Sequence, residues 1–294
     1  MNFSQQQDKK IASYTLIIPA YNEAQVIGRV LKELGRPVGC AEIIVVNDGS
    51  TDKTAEIASE NGARVISHQY NKGYGSSLKT GILSVKTEIA IMYDADGQHR
   101  PEDLEKIAQI ADKYDMVIGV RDKNSQKDWF RVPGKIILNI FAKILSGHKI
   151  PDLNSGLRSF KVSVIKQYLH LMPNGFSMST TSTIAFLKMG HTINYIPIQT
   201  RFREGRRSSV EIKDGLKVLM LVLNLIVLFN PQRVFLPMSL FFFLLGIGYF
   251  IYYSLTVYVD VTSSMLLLIV VGVIIFFMGI ICEHVSAIRR ELHK

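Results

Sequence analysis

Residues 234–259 and 265–282 are two apolar runs without one charged side chain, separated only by Asp260-Val261-Thr262-Ser263-Ser264. A helix rises about 1.5 Å per residue, so runs of this length suit a hydrocarbon core about 30 Å thick. Two of them joined by so short a loop predict a transmembrane helical hairpin. Arg201, Arg203, Arg206, Arg207 and Arg233 precede it, Arg289, Arg290 and Lys294 follow it, and the loop has no Lys or Arg. The positive-inside rule therefore puts both ends of the hairpin, both termini and residues 1–230 on the cytoplasmic side. Met1 to Lys10 is polar and precedes no cleavable apolar region, so no signal peptide is expected.

The formal net charge is +9, which suits anionic lipid, phosphorylated substrates or nucleic acid. No aromatic-basic RNA motif or zinc-finger spacing is present, and the hairpin favours the first two, so no nucleic-acid partner is expected. Cys40 and Cys282 lie far apart, the second inside a span, and predict neither a disulfide nor a metal site.

The region before the hairpin alternates two signals. Residues 15–19, 42–47, 63–67, 88–93 and 115–120 are short runs rich in branched side chains, which predict buried parallel strands. Between them, residues 23–35, 51–61, 75–86 and 101–114 carry helical patterns. Ser50 or Thr51 is placed to cap the second helix, and Pro101 suits a first helical turn. Such alternation predicts an α/β domain with an open Rossmann-like sheet, whose ligands bind beyond the carboxyl ends of the strands.

The polar motifs fall at those ends. The first strand finishes Ile18-Pro19-Ala20-Tyr21-Asn22-Glu23, placing Tyr21 to stack on a base and Glu23 to accept from its edge. The second finishes Val45-Val46-Asn47-Asp48-Gly49-Ser50-Thr51-Asp52, where Asp48 can bind a base or ribose and Asp52 supports the turn or helix start. Asn71-Lys72-Gly73-Tyr74-Gly75 follows the third, a glycine-bearing turn that either approaches phosphate or serves as a plain loop. The fourth runs into Tyr93-Asp94-Ala95-Asp96-Gly97-Gln98. In a regular strand Asp94 and Asp96 would share a face, with Gln98 adding a neutral oxygen, a donor set suited to Mg²⁺ or Mn²⁺ on a substrate diphosphate.

These four motifs in this order resemble the family 2 glycosyltransferases of the GT-A fold, over roughly residues 14–210. The resemblance implies a nucleotide site at Pro19, Tyr21, Glu23, Val46, Asp48, Asp94, Ala95 and Asp96. It implies a metal at Asp94, Asp96 and Gln98. Asp152-Leu153-Asn154-Ser155-Gly156-Leu157-Arg158 looks like the Asp-x-x-Ser-Gly-Phe-Arg motif of the polyprenyl-phosphate branch, typified by dolichol-phosphate mannose synthase, with Leu157 replacing the aromatic. Residues 203–209 resemble the basic loop that closes over the donor phosphates there; Ser209 stands where lysine is frequent, which passes the charge to Arg206 or Arg207. Tyr74 also occupies a position often basic in the family, and no phosphate contact is assigned to it.

The acceptor follows from what the chain lacks. Between Asp152 and Glu204 there is no Asp or Glu, whereas a hydroxyl nucleophile needs a base. A phosphate monoester, mostly dianionic near neutrality, needs cations instead. The branch places lipid-phosphate contacts at the region of Arg121, Arg131 and Lys135. Asp152 stays open as base or structural anchor. Residues 129–145 and 211–233 mix aromatic and aliphatic side chains with basic ones and are expected to form interfacial amphipathic helices.

The expected organisation is a GT-A domain over 1–210, a juxtamembrane helix over 211–233, and spans at about 234–259 and 265–282 with a basic tail. The expected activity is metal-dependent, inverting transfer from a UDP- or GDP-sugar to a polyprenyl phosphate such as undecaprenyl or dolichyl phosphate, with Asp94, Asp96, Asp152, Arg206 and Arg207 as the catalytic set. Transfer to a lipid hydroxyl such as diacylglycerol is the alternative, and a non-catalytic membrane adaptor a further one. A processive polysaccharide synthase is disfavoured, because its Gln-x-x-Arg-Trp signature is absent and Trp129 is the sole tryptophan. Gly246, Gly248, Gly272 and Gly279 suit a homo-oligomer packed through the spans.

Overall fold

A computed structural model describes residues 11–122, 147, 148, 150–175, 177–201, 220, 229–257 and 261–291. The chain divides into two compact units, residues 1–212 and 213–294.

The first unit is built on β1 (Tyr14–Ala20), β2 (Cys40–Asn47), β3 (Arg64–Ser67), β4 (Ile89–Met92), β5 (Met116–Arg121), β6 (Arg158–Lys161) and β7 (Ile193–Ile198). They form one sheet in the order β3-β2-β1-β4-β6-β5-β7. β1 is buried along its whole length and pairs in parallel with β2 and β4. A strand covered on both faces must be apolar throughout, which is why Tyr-Thr-Leu-Ile-Ile-Pro-Ala reads as a continuous run rather than an alternation. Tyr14, Leu16, Ile18 and Ala20 enter one core with Ile27, Val30, Leu31 and Leu34 of α1 (Ile27–Leu34) and Leu104 and Ile107 of α4 (Pro101–Ala108). On the other face Ile17 packs against Gly81 of α3 (Tyr74–Ser84) so closely that no side chain fits at 81. α2 (Thr54–Glu60) lies on β2 and β3 and against α1.

The five expected strands are all present. The sheet is not purely parallel, however: β6 runs antiparallel between β4 and β5. Its four residues, Arg-Ser-Phe-Lys, carry no strand periodicity that sequence could display, and neither it nor β7 was among the expected elements. Its direction matters for the site. An antiparallel strand there enters the sheet at the carboxyl ends of its neighbours, which sets residues 152–157 beside the exits of β4 and β5. Arg158 pairs with Met92 on one side and Ile118 on the other. α5 (Val162–Tyr168) and α6 (Met178–Lys188) follow, α5 packing on α3 and on α6.

Two helix starts differ from expectation. α2 begins at Thr54, capped neither by Ser50 nor by Thr51; Asp52 Oδ1 accepts from Thr54 N instead, which realises the supporting role expected of Asp52. α1 begins at Ile27, because the Glu23 carbonyl takes the amides of Val26 and Ile27 in a preceding turn.

The second unit holds α7 (Gln232–Thr256) and α8 (Ser263–Glu291). Both are long and apolar enough to cross a membrane, with mean hydropathies of 2.2 and 3.2, and almost all of that surface is unburied. α8 runs past the expected end at Cys282, since a helix does not stop where its apolar composition does. Gly246 packs on Ile269, Gly272 on Phe243 and Ser239, and Gly279 on Phe235, with Ser239 Oγ donating to the Gly272 carbonyl at 2.9 Å. Three of the four glycines thus serve close approach inside the hairpin; only Gly248 faces open space. Residues 129–145, the loop at 203–209 and nearly all of 211–229 lie outside the described residues.

Candidate active site at the strand ends

The β1 and β2 exits are tied together by Asn22. It takes a left-handed conformation, φ 54°, the one described non-glycine residue with positive φ, and a short amide side chain tolerates that conformation best. Its amide N donates to Ser50 Oγ at 3.0 Å and its Oδ1 accepts from Thr51 N at 2.9 Å. Asp52 Oδ2 accepts from Ala24 N. The exposed Tyr21 precedes this knot; Pro19 and Val46, which pair across the ends of β1 and β2, are buried. Glu23 N donates to Thr54 Oγ1. Sequence reasoning missed Asn22, although Asn after a strand and before a helix is a turn signal.

Asp48 sits where expected but is almost wholly enclosed, 3 % exposed. Its Oδ1 accepts from Lys72 N at 2.9 Å and from His68 Nδ1 at 2.7 Å, and its Oδ2 from Gly73 N at 2.8 Å. His68 Nε2 is in turn 2.9 Å from Thr80 Oγ1. Burial pushes the Asp48 carboxyl up, but the His68 and backbone hydrogen bonds outweigh it and hold the group below its ordinary value. Asp48 therefore shapes the loop at 68–73. Gly73 at the end of that loop and Gly75 in the first turn of α3 serve close protein contacts: both lie against the backbone of 173–175, and Ser76 N donates to the Asn174 carbonyl.

β4 ends at Met92, so Asp94 and Asp96 leave the sheet before alternation can apply and stand instead on a turn around Gly97, φ 71°. Asp96 Oδ1 accepts from Gln98 N at 3.1 Å. Asp94 is gripped from two sides, with Tyr74 Oη donating to Oδ1 at 2.9 Å and His99 Nε2 standing 3.3 Å from Oδ2. Gly156 closes a third side, where a methyl group would overlap the carboxylate. Burial raises the Asp94 carboxyl, yet hydrogen bonds from His99 and Tyr74 and the Arg121 charge bring it below the ordinary value. The Tyr74 phenol is raised well above its own, first by burial and then by Asp94, and so stays a donor. His99 is 4 % exposed, its ring edge-on to Tyr93 at 5.4 Å, and Tyr93 Oη donates to the His99 carbonyl at 2.7 Å. Neither His99 nor Tyr74 was read from sequence as a site residue.

Among the described residues no three His, Cys, Asp or Glu side chains cluster as a closed metal cage. Two carboxylates on one turn are nonetheless what Mg²⁺ or Mn²⁺ takes from a protein when diphosphate oxygens and water complete the shell. The residues present fit such an ion.

Asp152 is 7 % exposed and held by a fork: Arg121 Nε donates to Oδ2 at 2.8 Å and Nη2 to Oδ1 at 2.9 Å, with Asn154 N on Oδ1 as well. Burial raises the carboxyl, but Arg121 and the backbone amides prevail and lower it. Arg158 is fully buried with no carboxylate in contact among the described residues, its guanidinium satisfied by the carbonyls of Leu153, Ser155 and Ser179 and the hydroxyls of Ser182 and Thr183. Burial pushes it down to about 10, still charged at neutral pH. It pins the 153–155 turn and sets a positive charge behind the acidic site. Arg131, Lys135, Arg206 and Arg207 lie outside the described residues.

Residues 15–169 match the model of glycosyl transferase family 2, and residues 230–288 match the GtrB C-terminal hairpin. The hairpin match and the two apolar helices together mark a membrane protein. An uncharacterized protein of Methanocaldococcus jannaschii is 38% identical over 215 residues, 69% of this chain and 88% of that one. The UDP-N-acetylglucosamine–dolichyl-phosphate N-acetylglucosaminyltransferase of Methanococcus voltae is 32% identical over 217 residues, 64% of this chain and 86% of that one. Among solved structures, glucosyl-3-phosphoglycerate synthase from Mycobacterium tuberculosis, in complex with Mn²⁺, UDP-glucose and phosphoglyceric acid, superposes with a TM-score of 0.57 at 18% identity, covering 73% of this chain and 79% of that one. At that identity the likeness establishes the GT-A fold and no more.

Proposed function

The chain belongs to glycosyl transferase family 2, and from that premise we propose that it moves a sugar from a UDP- or GDP-linked donor to a membrane polyprenyl phosphate. The observation that carries the choice of acceptor is the Arg121–Asp152 fork. Asp152 has both oxygens engaged and its carboxyl lowered, which makes it a poor proton acceptor for a lipid hydroxyl. A lipid phosphate brings its own negative charge and needs no base. Asp152 is then an anchor that aims Arg121, whose Nη1 edge has no partner among the described residues and is offered to the acceptor phosphate. Arg131 and Lys135 are proposed to join it.

Transfer is a single in-line displacement. A phosphate oxygen attacks the anomeric carbon as the bond to the nucleoside diphosphate breaks, so the anomeric configuration inverts. Tyr21 stacks on the base and Glu23 stands at its edge, while the enclosed Asp48 holds the loop beside it. Mg²⁺ or Mn²⁺ at Asp94, Asp96 and Gln98 would neutralise charge on the diphosphate. Arg206 and Arg207 would share that task. The hairpin would keep the polyprenyl chain in lipid while its phosphate meets a cytoplasmic site, and residues 129–145 and 211–233, nearly all outside the described residues, are proposed as interfacial segments. Names of relatives such as the Methanococcus voltae enzyme support this acceptor class.

The test is transfer of labelled sugar from a panel of UDP- and GDP-sugars, with undecaprenyl phosphate, dolichyl phosphate and diacylglycerol as acceptors. Product on a polyprenyl phosphate is expected. Product on diacylglycerol alone would overturn the reading, and Asp152→Asn would then cost about 10²–10⁴-fold in rate, the scale of a lost general base, against about tenfold or less for an anchor.

A further inference from the structure

Asp94 is oriented by groups from three separate segments. Tyr74, the first residue of α3, holds Oδ1; His99, five residues along the same turn, approaches Oδ2; Gly156, at the entry to antiparallel β6, blocks the remaining side. With one donor on each oxygen the carboxylate plane has a single orientation. An ionised carboxylate has about four lone-pair sites, so two donors leave capacity on each oxygen for a cation.

The identity of the donors is informative. A lysine or arginine at 74 would pair with Asp94 as an ion and compete with a divalent cation for its charge. A phenol hydrogen-bonds it without neutralising it. His99 Nδ1 is buried with no partner among the described residues. A hydrogen on that nitrogen would be an orphaned donor, so the tautomer with hydrogen on Nε2, pointing at Asp94, satisfies the geometry. Tyr93 packs edge-on against the ring and bonds the His99 carbonyl, which fixes the imidazole where it stands.

We infer that Tyr74 and His99 are positioning residues that pre-set the Asp94 carboxylate for a divalent cation, with Gly156 as the wall behind it. This rests on the proposed role of Asp94 as a metal ligand. Groups that orient a ligand in this way govern metal affinity by about 10–100-fold, while leaving the nucleoside contacts alone.

The test uses the full-length chain in detergent, with Mn²⁺ binding followed by electron paramagnetic resonance in the presence of UDP or of GDP. Tyr74→Phe and His99→Leu are each expected to weaken Mn²⁺ binding about tenfold or more. His99→Gln, which keeps an amide donor near the Nε2 position, should recover most of it. Metal-free nucleotide affinity and the metal-free melting temperature of Tyr74→Phe should match wild type, which separates positioning from general damage. Wild-type Mn²⁺ affinity retained in both Tyr74→Phe and His99→Leu would overturn the inference alone. Absence of Mn²⁺ binding in wild type, or binding unaffected by Asp96→Ala, would overturn the metal reading and this inference with it.

Discussion

The exits of β2 and β4 are built from the same kind of sequence, an apolar strand running into carboxylates and a glycine with positive φ, yet they do opposite work. At the β2 exit the Asp48 side chain is 5 % exposed and receives three protein donors, two of them backbone amides. At the β4 exit the Asp94 side chain is 27 % exposed and receives two side-chain donors. The first carboxylate spends its hydrogen-bonding capacity on the fold. The second is aimed by the fold and left with capacity to spare. A strand-end aspartate is thus closed off or left open according to how many amides the next loop turns towards it, and residue type alone does not decide which.

That contrast can be broken by substitution. Asp96→Ala, on the β4 turn, is expected to reduce transfer by about 10³-fold, the upper range for loss of a group stabilising developing charge, with the melting temperature within a degree or two of wild type. A large loss of thermal stability in that variant would erase the distinction. Asp48→Ala should do the reverse, leaving three donors without an acceptor and costing about 2–4 kcal/mol of stability, read as a lowered unfolding midpoint. Acid sharpens the same point. The Asp48 carboxyl is held below its ordinary value of 3.8, so its contribution is complete above that pH and is lost as pH falls through the lowered value. The gap in melting temperature between wild type and Asp48→Asn is therefore expected to narrow between pH 5 and pH 3.

Smaller effects refine the comparison. Tyr21→Ala removes a ring that is 40 % exposed, and a stacked base contributes about 1–3 kcal/mol; the Michaelis constant for donor should rise about tenfold or more, with a smaller effect on stability. Ser50→Ala takes one acceptor from Asn22 N. About 0.5–1.5 kcal/mol of stability should go with it, and a drop in turnover larger than that would move the Asn22 knot from scaffold to catalytic machinery.

Much of this was legible from the chain. Strands β1 and β4 and the two spans announce themselves, because burial on both faces and immersion in lipid each demand unbroken apolar composition, whereas the edge strand β3, exposed at Arg64 and Ser67, shows only its Val65-Ile66 pair. The order of the strand-end motifs carries the family. What stayed hidden has a common cause in non-local contact. β6 is four residues long and partly polar, so only its two neighbours identify it as a strand. The Asp152 fork depends on Arg121 arriving from 31 residues earlier, and the Asp94 grip on Tyr74 arriving from 20. The glycine turn at 73–75 looks the same in sequence whether its bare backbone faces a phosphate or, as here, the 173–175 loop.

Composition and local pattern determined what each segment of this protein had to be, strand, helix or span, since those choices are set by burial and by hydrogen bonds a few residues away. Which carboxylate would be saturated, which paired and which left open was decided only in the folded sheet. There, an antiparallel strand and three distant loops bring donors to within 3 Å or so of particular oxygens, and no periodicity along the chain encodes that meeting.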